Sequence, residues 1–291
     1  MKKIQNSKIK IQNDNLKLKI NKFLVLFFCF IVFLIFWSNS VFAATKTKKP
    51  YIVKKSRWIF GTSWQGRPLW AYSFGKGKNI TLYLGGVHSG VERGAVQITN
   101  SWLSYLQNHK KIKKIVPKKH KVIIIPNLNP DGWTNYTREN THYVDLNRNF
   151  SVNWQMWGNL WSAKVYGGPK PFSEPESIAL KNLMKKEFKS QIGIGRYNTK
   201  STKLVSYHMG TNQVFSPKID GKLDLNSLKF AKFYNNFARY PANYSFDYYH
   251  LSGEIGAWFA KTFQTRAITV EMGAYEEFEK NRPAMKKVIK Y

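Results

Sequence analysis

The sequence predicts an α/β fold: one domain on a mixed, mostly parallel central β-sheet with helices on both faces. Two observations carry that prediction. Four apolar runs of strand length, NITLYLGGVH (79–88), HKVIIIPNL (120–128), KLVSYHM (203–209) and RAITVEMG (266–273), punctuate the chain. Between them lie segments with helical spacing of apolar residues, and strands alternating with helices imply such a layered sheet.

In chain order, WIFGTSWQGRPLWAYSFG (57–74) places two aromatic-rich runs around a Gly-containing turn, a β-hairpin signal. The run at 79–88 is a buried strand ending in Gly-Gly and His88. From Glu92 to Leu106, the residues Ala95, Val96, Ile98, Trp102 and Leu106 fall on one helical face. The run at 120–128 is a second buried strand. Residues 129–172 lack periodicity and read as a long loop, and loops of that length inside a domain are usually functional. Ser173-Glu174-Pro175-Glu176 reads as a capping box opening a helix through Phe188. A strand ends at His208, a helix covers about 224–238, and an aromatic loop holds Tyr240, Tyr244, Tyr248 and Tyr249. A short helix (253–263), a strand ending at Glu271 and a last helix through Lys290 complete the chain.

With 291 residues, including ten Trp, sixteen Tyr and twenty Phe, there is ample material for one core. The N-terminus reads as a separate device. Residues 1–22 are lysine-rich, 23–37 are unbroken apolar, and small residues follow at Ala43 and Ala44. That order marks a secretory signal peptide, 1–43. The alternative is an uncleaved membrane anchor through 23–37, although a spanning helix needs ~20 apolar residues. Residues 44–56 then form a basic linker, and 57–291 the domain. Export is the expectation, to a secreted, periplasmic or wall-associated location.

Cys29, the only cysteine, lies in the apolar run, so the rest of the chain has no disulfide, thiolate metal site or cysteine nucleophile. The net charge is +31, of which residues 1–43 contribute seven Lys and one Asp. Such an excess suits anionic surroundings such as wall polymers or lipid head groups, and equally a plainly solvated lysine-rich surface. A nucleic-acid partner conflicts with the export signal.

Three apolar strands end on a residue that can bind metal or move protons: His88, His208 and Glu271. Ligands in open α/β sheets bind at the carboxyl ends of strands. Two His and one Glu, here His88, Glu92 and His208, suit a catalytic zinc that keeps a fourth position for water, and Glu271 is then the candidate base. Taken singly, each has a plainer reading. A lone His at a strand end is usually structural, and Glu92 suits a helix N-terminus. Spacing alone does not join residues so far apart in the chain.

The stretch IIIPNLNPDGWTNYTRENTHYVDLNRNF resembles the central signature of the zinc carboxypeptidases of the carboxypeptidase A type, peptidase family M14. GGVHSGVERG, YGGPKPFSEPES, VSYHMG, YHLSGEIGAW and AITVEMG follow the same family order across residues 79–273. The resemblance implies the zinc-carboxypeptidase fold, one zinc ion on His88, Glu92 and His208, and Glu271 as general base. It implies Arg138 as the oxyanion stabiliser, Asn147 and Arg148 as the grip on the substrate's C-terminal carboxylate, and Tyr249 as a mobile cover. One departure stands out: three residues separate His88 from Glu92 where the common pattern has two.

The substrate implied is a peptide with a free C-terminus, such as a cell-wall stem peptide, cleaved by a monomer. Gly256 falls at the pocket-base position and carries no charge, so strict selection for charged side chains is not evident. The other readings are an amidase or deacylase on N-acyl amino acids with the same zinc site, and a non-catalytic wall-binding protein. His109, His120, His142 and His250 match no motif position and read as surface or loop residues. Asp131 and Asp145 read as loop-shaping or supporting groups. Trp154, Trp157 and Trp161 read chiefly as packing over the long loop.

Overall fold

The computed structural model describes residues 21–28, 30–31, 51–189, 202–275 and 277–291. The chain forms two compact units, Met1–Pro50 and Tyr51–Tyr291. In the first, residues 21–28 and 30–31 are helical with exposed side chains. Among the described residues no helix is long and apolar enough to cross a membrane. The rest of the expected signal or anchor, 1–43, lies outside the described residues.

The second unit begins earlier than expected. Val53 is buried, the Lys54 carbonyl accepts from the Gly75 amide at 2.8 Å, and the first strand starts at Lys55. The Tyr51 hydroxyl donates to the Val116 carbonyl at 3.3 Å. Residues 51–56 of the expected linker 44–56 therefore belong to the folded unit, because Tyr51 and Val53 are apolar enough to join its core.

One seven-stranded sheet, in the order β1-β2-β4-β3-β7-β11-β8, organises this unit. The strands are β1 (Lys55–Thr62), β2 (Pro68–Gly75), β3 (Asn79–Leu84), β4 (His120–Ile125), β7 (Lys203–Met209), β8 (Gln213–Phe215) and β11 (Arg266–Met272). The central four, β4, β3, β7 and β11, are parallel, and β1, β2 and β8 pair antiparallel at the edges. The four apolar runs of the sequence are these central strands. A short hairpin of β5 (Trp157–Leu160) and β6 (Ala163–Tyr166) stands apart, as does a two-residue ladder of β9 (Lys218–Ile219) and β10 (Lys222–Leu223).

The helices are α1 (Arg93–Asn108), α2 (Pro130–Asn135), α3 (Pro175–Lys189), α4 (Leu225–Ala238), α5 (Ile255–Phe263) and α6 (Phe278–Val288), with a one-turn helix at Ile112–Ile115. Side chains on a strand alternate between faces. Tyr83 of β3 thus joins a cluster with Trp102 of α1, Phe230 of α4 and Met285 of α6. Its neighbours Leu82 and Leu84 join the opposite cluster, with Leu180 of α3 and Trp258 of α5. Tyr83 meets Trp102 edge to face at 5.7 Å, a geometry worth ~0.5–1.5 kcal/mol beyond area burial.

Two local expectations change. Within 129–172, read as loop, the chain forms α2, a 3-10 turn (Leu146–Arg148) and the β5–β6 hairpin. At α3, Glu176 does not reach back to Ser173. Its carboxylate accepts from the Trp64 amide at 3.0 Å and from Asn140 at 3.3 Å, tying the β1–β2 turn to the loop. Asp131 does the same with Ser63, Gln65 and Arg67.

Candidate active site

Three parallel strands deliver the site. β3 ends at Leu84, and His88 follows four residues on; β7 carries His208; β11 carries Glu271 beside it, in register with His208. The three-residue spacer after His88 coils into a turn in which the Glu92 amide donates to the His88 carbonyl at 2.9 Å. Residues four apart on such a turn share a face. The longer spacer therefore returns Glu92 to His88 instead of carrying it away. Gly90 makes the turn possible, since a Cβ there would overlap the Gly132 carbonyl and the Thr137 backbone.

His88 Nδ1 lies 2.8 Å from Glu92 Oε1, and His208 Nδ1 lies 2.9 Å from Glu92 Oε2. One ligand atom from each of the three buried residues falls within 4.8 Å of the others. The two rings meet edge to face at 4.9 Å. His88 Nε2 is 2.8 Å from Asp145 Oδ1. A carboxylate can only accept, so Asp145 holds a proton on Nε2, which leaves Nδ1 as the atom His88 would offer a metal. Two imidazoles and a carboxylate converging this way suit zinc, whose ligand bonds run ~2.0–2.2 Å.

The charges of these groups are interlocked. Burial opposes charge on Glu92, yet His88 and His208 hold its carboxyl well below the usual range. Burial likewise opposes charge on Asp145, which Arg138 and His88 hold far down. For His88, burial and Arg138 favour the neutral ring, but Glu92 and Asp145 win and raise its pKa. Arg138 bridges the two acids, with Nη1 3.0 Å from Glu92 and Nε 3.0 Å from Asp145. Glu271 differs. Burial first, and the Glu92 charge second, push its carboxyl up to about 8.

His88, Glu92, His208, Arg138, Asn147, Arg148, Tyr249 and Glu271 all line one cavity. The 3-10 turn fixes two of them: Asp145 accepts from the Asn147 amide at 2.9 Å and starts that turn. The Asn147 side-chain oxygen accepts from the Ile255 amide at 3.0 Å, so its NH2 donors are what it has left to offer a ligand. Arg148 donates to the carbonyls of Asn147 (3.0 Å) and Asn159 (3.2 Å), while its Nε is buried without a partner. Tyr249 has Arg148 5.9 Å from its ring; Tyr248, half exposed, does not line the cavity.

His142 is held elsewhere, stacked on Trp64 at 3.6 Å and 3.3 Å from Glu174. Trp161, at the tip of the β5–β6 hairpin, lines the cavity against Tyr248 and Tyr249, a larger part than packing. Glu254 and Thr269 also line it, and sequence reasoning passed over both. Glu254 lay inside the quoted motif YHLSGEIGAW, where its charge was the available signal.

Residues 39–288 match the model of the peptidase M14 family, zinc carboxypeptidase. Carboxypeptidase B of Astacus astacus is 29% identical over 136 residues, and bacteriocin BCN5 of Clostridium perfringens 27% over 157. These alignments take in 40% and 49% of this chain but only 45% and 17% of those proteins. Murein-tripeptide amidase MpaA from Escherichia coli O157 superposes with a TM-score of 0.57 at 22% identity, over 86% of this chain and 96% of that one. Bovine thrombin-activatable fibrinolysis inhibitor gives 0.62 at 20%, over 83% and 89%. The fold is shared with both. With the family model spanning nearly the whole folded unit, the chain belongs to the zinc carboxypeptidase family.

Proposed function

We propose that this chain is an exported zinc metallocarboxypeptidase that hydrolyses the last amide bond of a peptide with a free C-terminal carboxylate. The observation that carries the reading is a juxtaposition. The His88–Glu92–His208 set and the Arg148 guanidinium, which has no carboxylate partner among the described residues, share one cavity. A terminal carboxylate on Arg148 would satisfy a buried cation and set the preceding amide toward the triad.

The chemistry that zinc supplies when bound is acidification of water and polarisation of a carbonyl. The remaining work falls to this chain's side chains. Glu271, with its raised pKa, is suited to take a proton from water and return it to the leaving nitrogen. Arg138, locked by Glu92 and Asp145, offers fixed positive charge where an oxyanion develops. The NH2 of Asn147 and the fork of Arg148 grip the terminal carboxylate, and Tyr249 with Trp161 closes over it.

A wall stem peptide is the finer proposal. It draws on the export signal, the basic chain and the likeness to murein-tripeptide amidase, whose length this chain nearly spans. Zinc-loaded full-length protein is expected to release single residues from peptides with a free C-terminus and to spare the same peptides amidated. Equal cleavage of both would break the reading. Release of amino acids from N-acyl amino acids alone would favour the amidase or deacylase instead.

A further inference from the structure

We propose that the end of the folded unit opposite the catalytic cavity docks on an anionic lipid surface, an inference independent of what the cavity cleaves. The four central strands run parallel, so their carboxyl ends deliver the site and their amino ends gather at the other end. Three parts of the chain meet there. Residues 75–79 lead into β3, residues 109–119 lead into β4, and the last residues after α6 lie beside the starts of β7 and β11. The Gly77 amide donates to the His120 carbonyl at 3.1 Å, and the Lys203 ammonium to the Ile289 carbonyl at 3.4 Å. The Arg266 guanidinium stands 4.8 Å from the centre of the Tyr291 ring.

Basic residues crowd these segments. Residues 108–121 hold seven Lys and residues 284–291 hold three, with no Asp or Glu in either. Glu187 answers Lys121 at 2.5 Å. Among the described residues, no carboxylate oxygen lies within 4 Å of Lys111, Lys114 or Lys290. The field is felt beneath the surface, where burial and then the charges of Lys203, Lys290 and Lys119 lower the pKa of His120.

Those three lysines, all exposed, border a groove whose apolar walls are Ile115, Phe233 and Tyr291. Ile115 is buried, and the half-buried rings of Phe233 and Tyr291 meet at 4.2 Å. Cations around an apolar floor fit an amphipathic anion, with phosphate on the ammonium groups and carbon against the rings. A phosphodiester wall polymer would meet the lysines and leave that floor bare. The course of the chain favours lipid as well. Tyr51 donates to the Val116 carbonyl, next to Ile115, so the residues that precede the unit, the apolar run 23–37 among them, join it at this end. Ile52 beside it is 74% exposed. Binding to a bilayer surface grows with buried apolar area and with attraction to anionic head groups, and this end offers both. The catalytic cavity then lies at the far end of the unit from the bilayer.

The test is cosedimentation of the full-length protein with vesicles of phosphatidylglycerol or of phosphatidylcholine at ~0.1 M salt. Wild type is expected to prefer phosphatidylglycerol by ~100-fold or more. Lys111→Gln, Lys114→Gln and Lys290→Gln combined should weaken that binding ~100-fold, since each basic residue at such a surface contributes roughly fivefold. Arg at the same three positions should keep the binding, which separates charge from packing. Lys164→Gln, Lys170→Gln and Lys218→Gln combined, which removes the same charge elsewhere on the surface, should keep it too. Equal loss in the two Gln variants overturns the proposal, as does equal binding of wild type to both kinds of vesicle. Binding to soluble polyphosphate without binding to either vesicle also overturns it, in favour of a wall polymer.

Discussion

Glu271 lines the cavity and Asp145 lies buried behind His88, and their neighbours drive the two acids in opposite directions. Asp145 has Arg138 and His88 and stays ionised; Glu271 is pushed up to about 8 by burial and by Glu92. The consequence for stability has a definite sign. In metal-free protein, the folded state holds a proton on Glu271 between pH 4.5 and about 8 that the unfolded chain releases. Stability therefore falls as pH rises across that window and levels off above it. Metal-free Glu271→Gln should melt above wild type at pH 8 and match it near pH 4. The same variant should keep zinc and lose ~10²–10⁴-fold in kcat. Asp145→Asn should act on the metal, because the amide can donate to Nε2 and disturb the His88 tautomer. Zinc affinity should weaken ~10–100-fold in a competitive chelator titration.

At the scale of elements, the spacer between β3 and α1 carries the most specific claim. Gly90→Ala forces the turn against the backbone of Gly132 and Thr137 and should cost ~1–3 kcal/mol. Because that turn sets Glu92 against His88, zinc affinity should fall along with the melting temperature. Chelator titration and thermal melts of the same preparation check both. The central strands were legible in the sequence because strands covered on both faces read as largely apolar runs, and β3, β4, β7 and β11 do. The metal triad was legible only through a family signature, since His88 and His208 meet across the sheet and no local pattern joins them. The β5–β6 hairpin was not legible. Its strands are four residues long, and Trp157 and Trp161 are exposed, so no buried alternation marks it. Glu176 imitated a capping box because Ser173 lies three residues before it. Its partners Trp64 and Asn140 are 112 and 36 residues away and leave no local trace. Glu254 was passed over because pocket charge was sought at position 256 alone.

For the whole molecule, the balance of 47 basic against 16 acidic residues sets how it meets large anionic surfaces, apart from what its cavity cleaves. Full-length protein should sediment with anionic vesicles or wall fragments at low salt. It should be released as the Debye length shrinks from ~10 Å at 0.1 M to ~3 Å at 1 M salt. Retention at high salt would point to an apolar anchor instead. The central claim is narrower: one zinc sits on His88, Glu92 and His208, and Glu271 takes the proton. Its most direct test is zinc content measured beside C-terminal residue release, in wild type, Glu92→Ala and Glu271→Gln. The account predicts one zinc and release in wild type, lost zinc in Glu92→Ala, and zinc without release in Glu271→Gln. Zinc that survives Glu92→Ala, or release that survives Glu271→Gln, would contradict it.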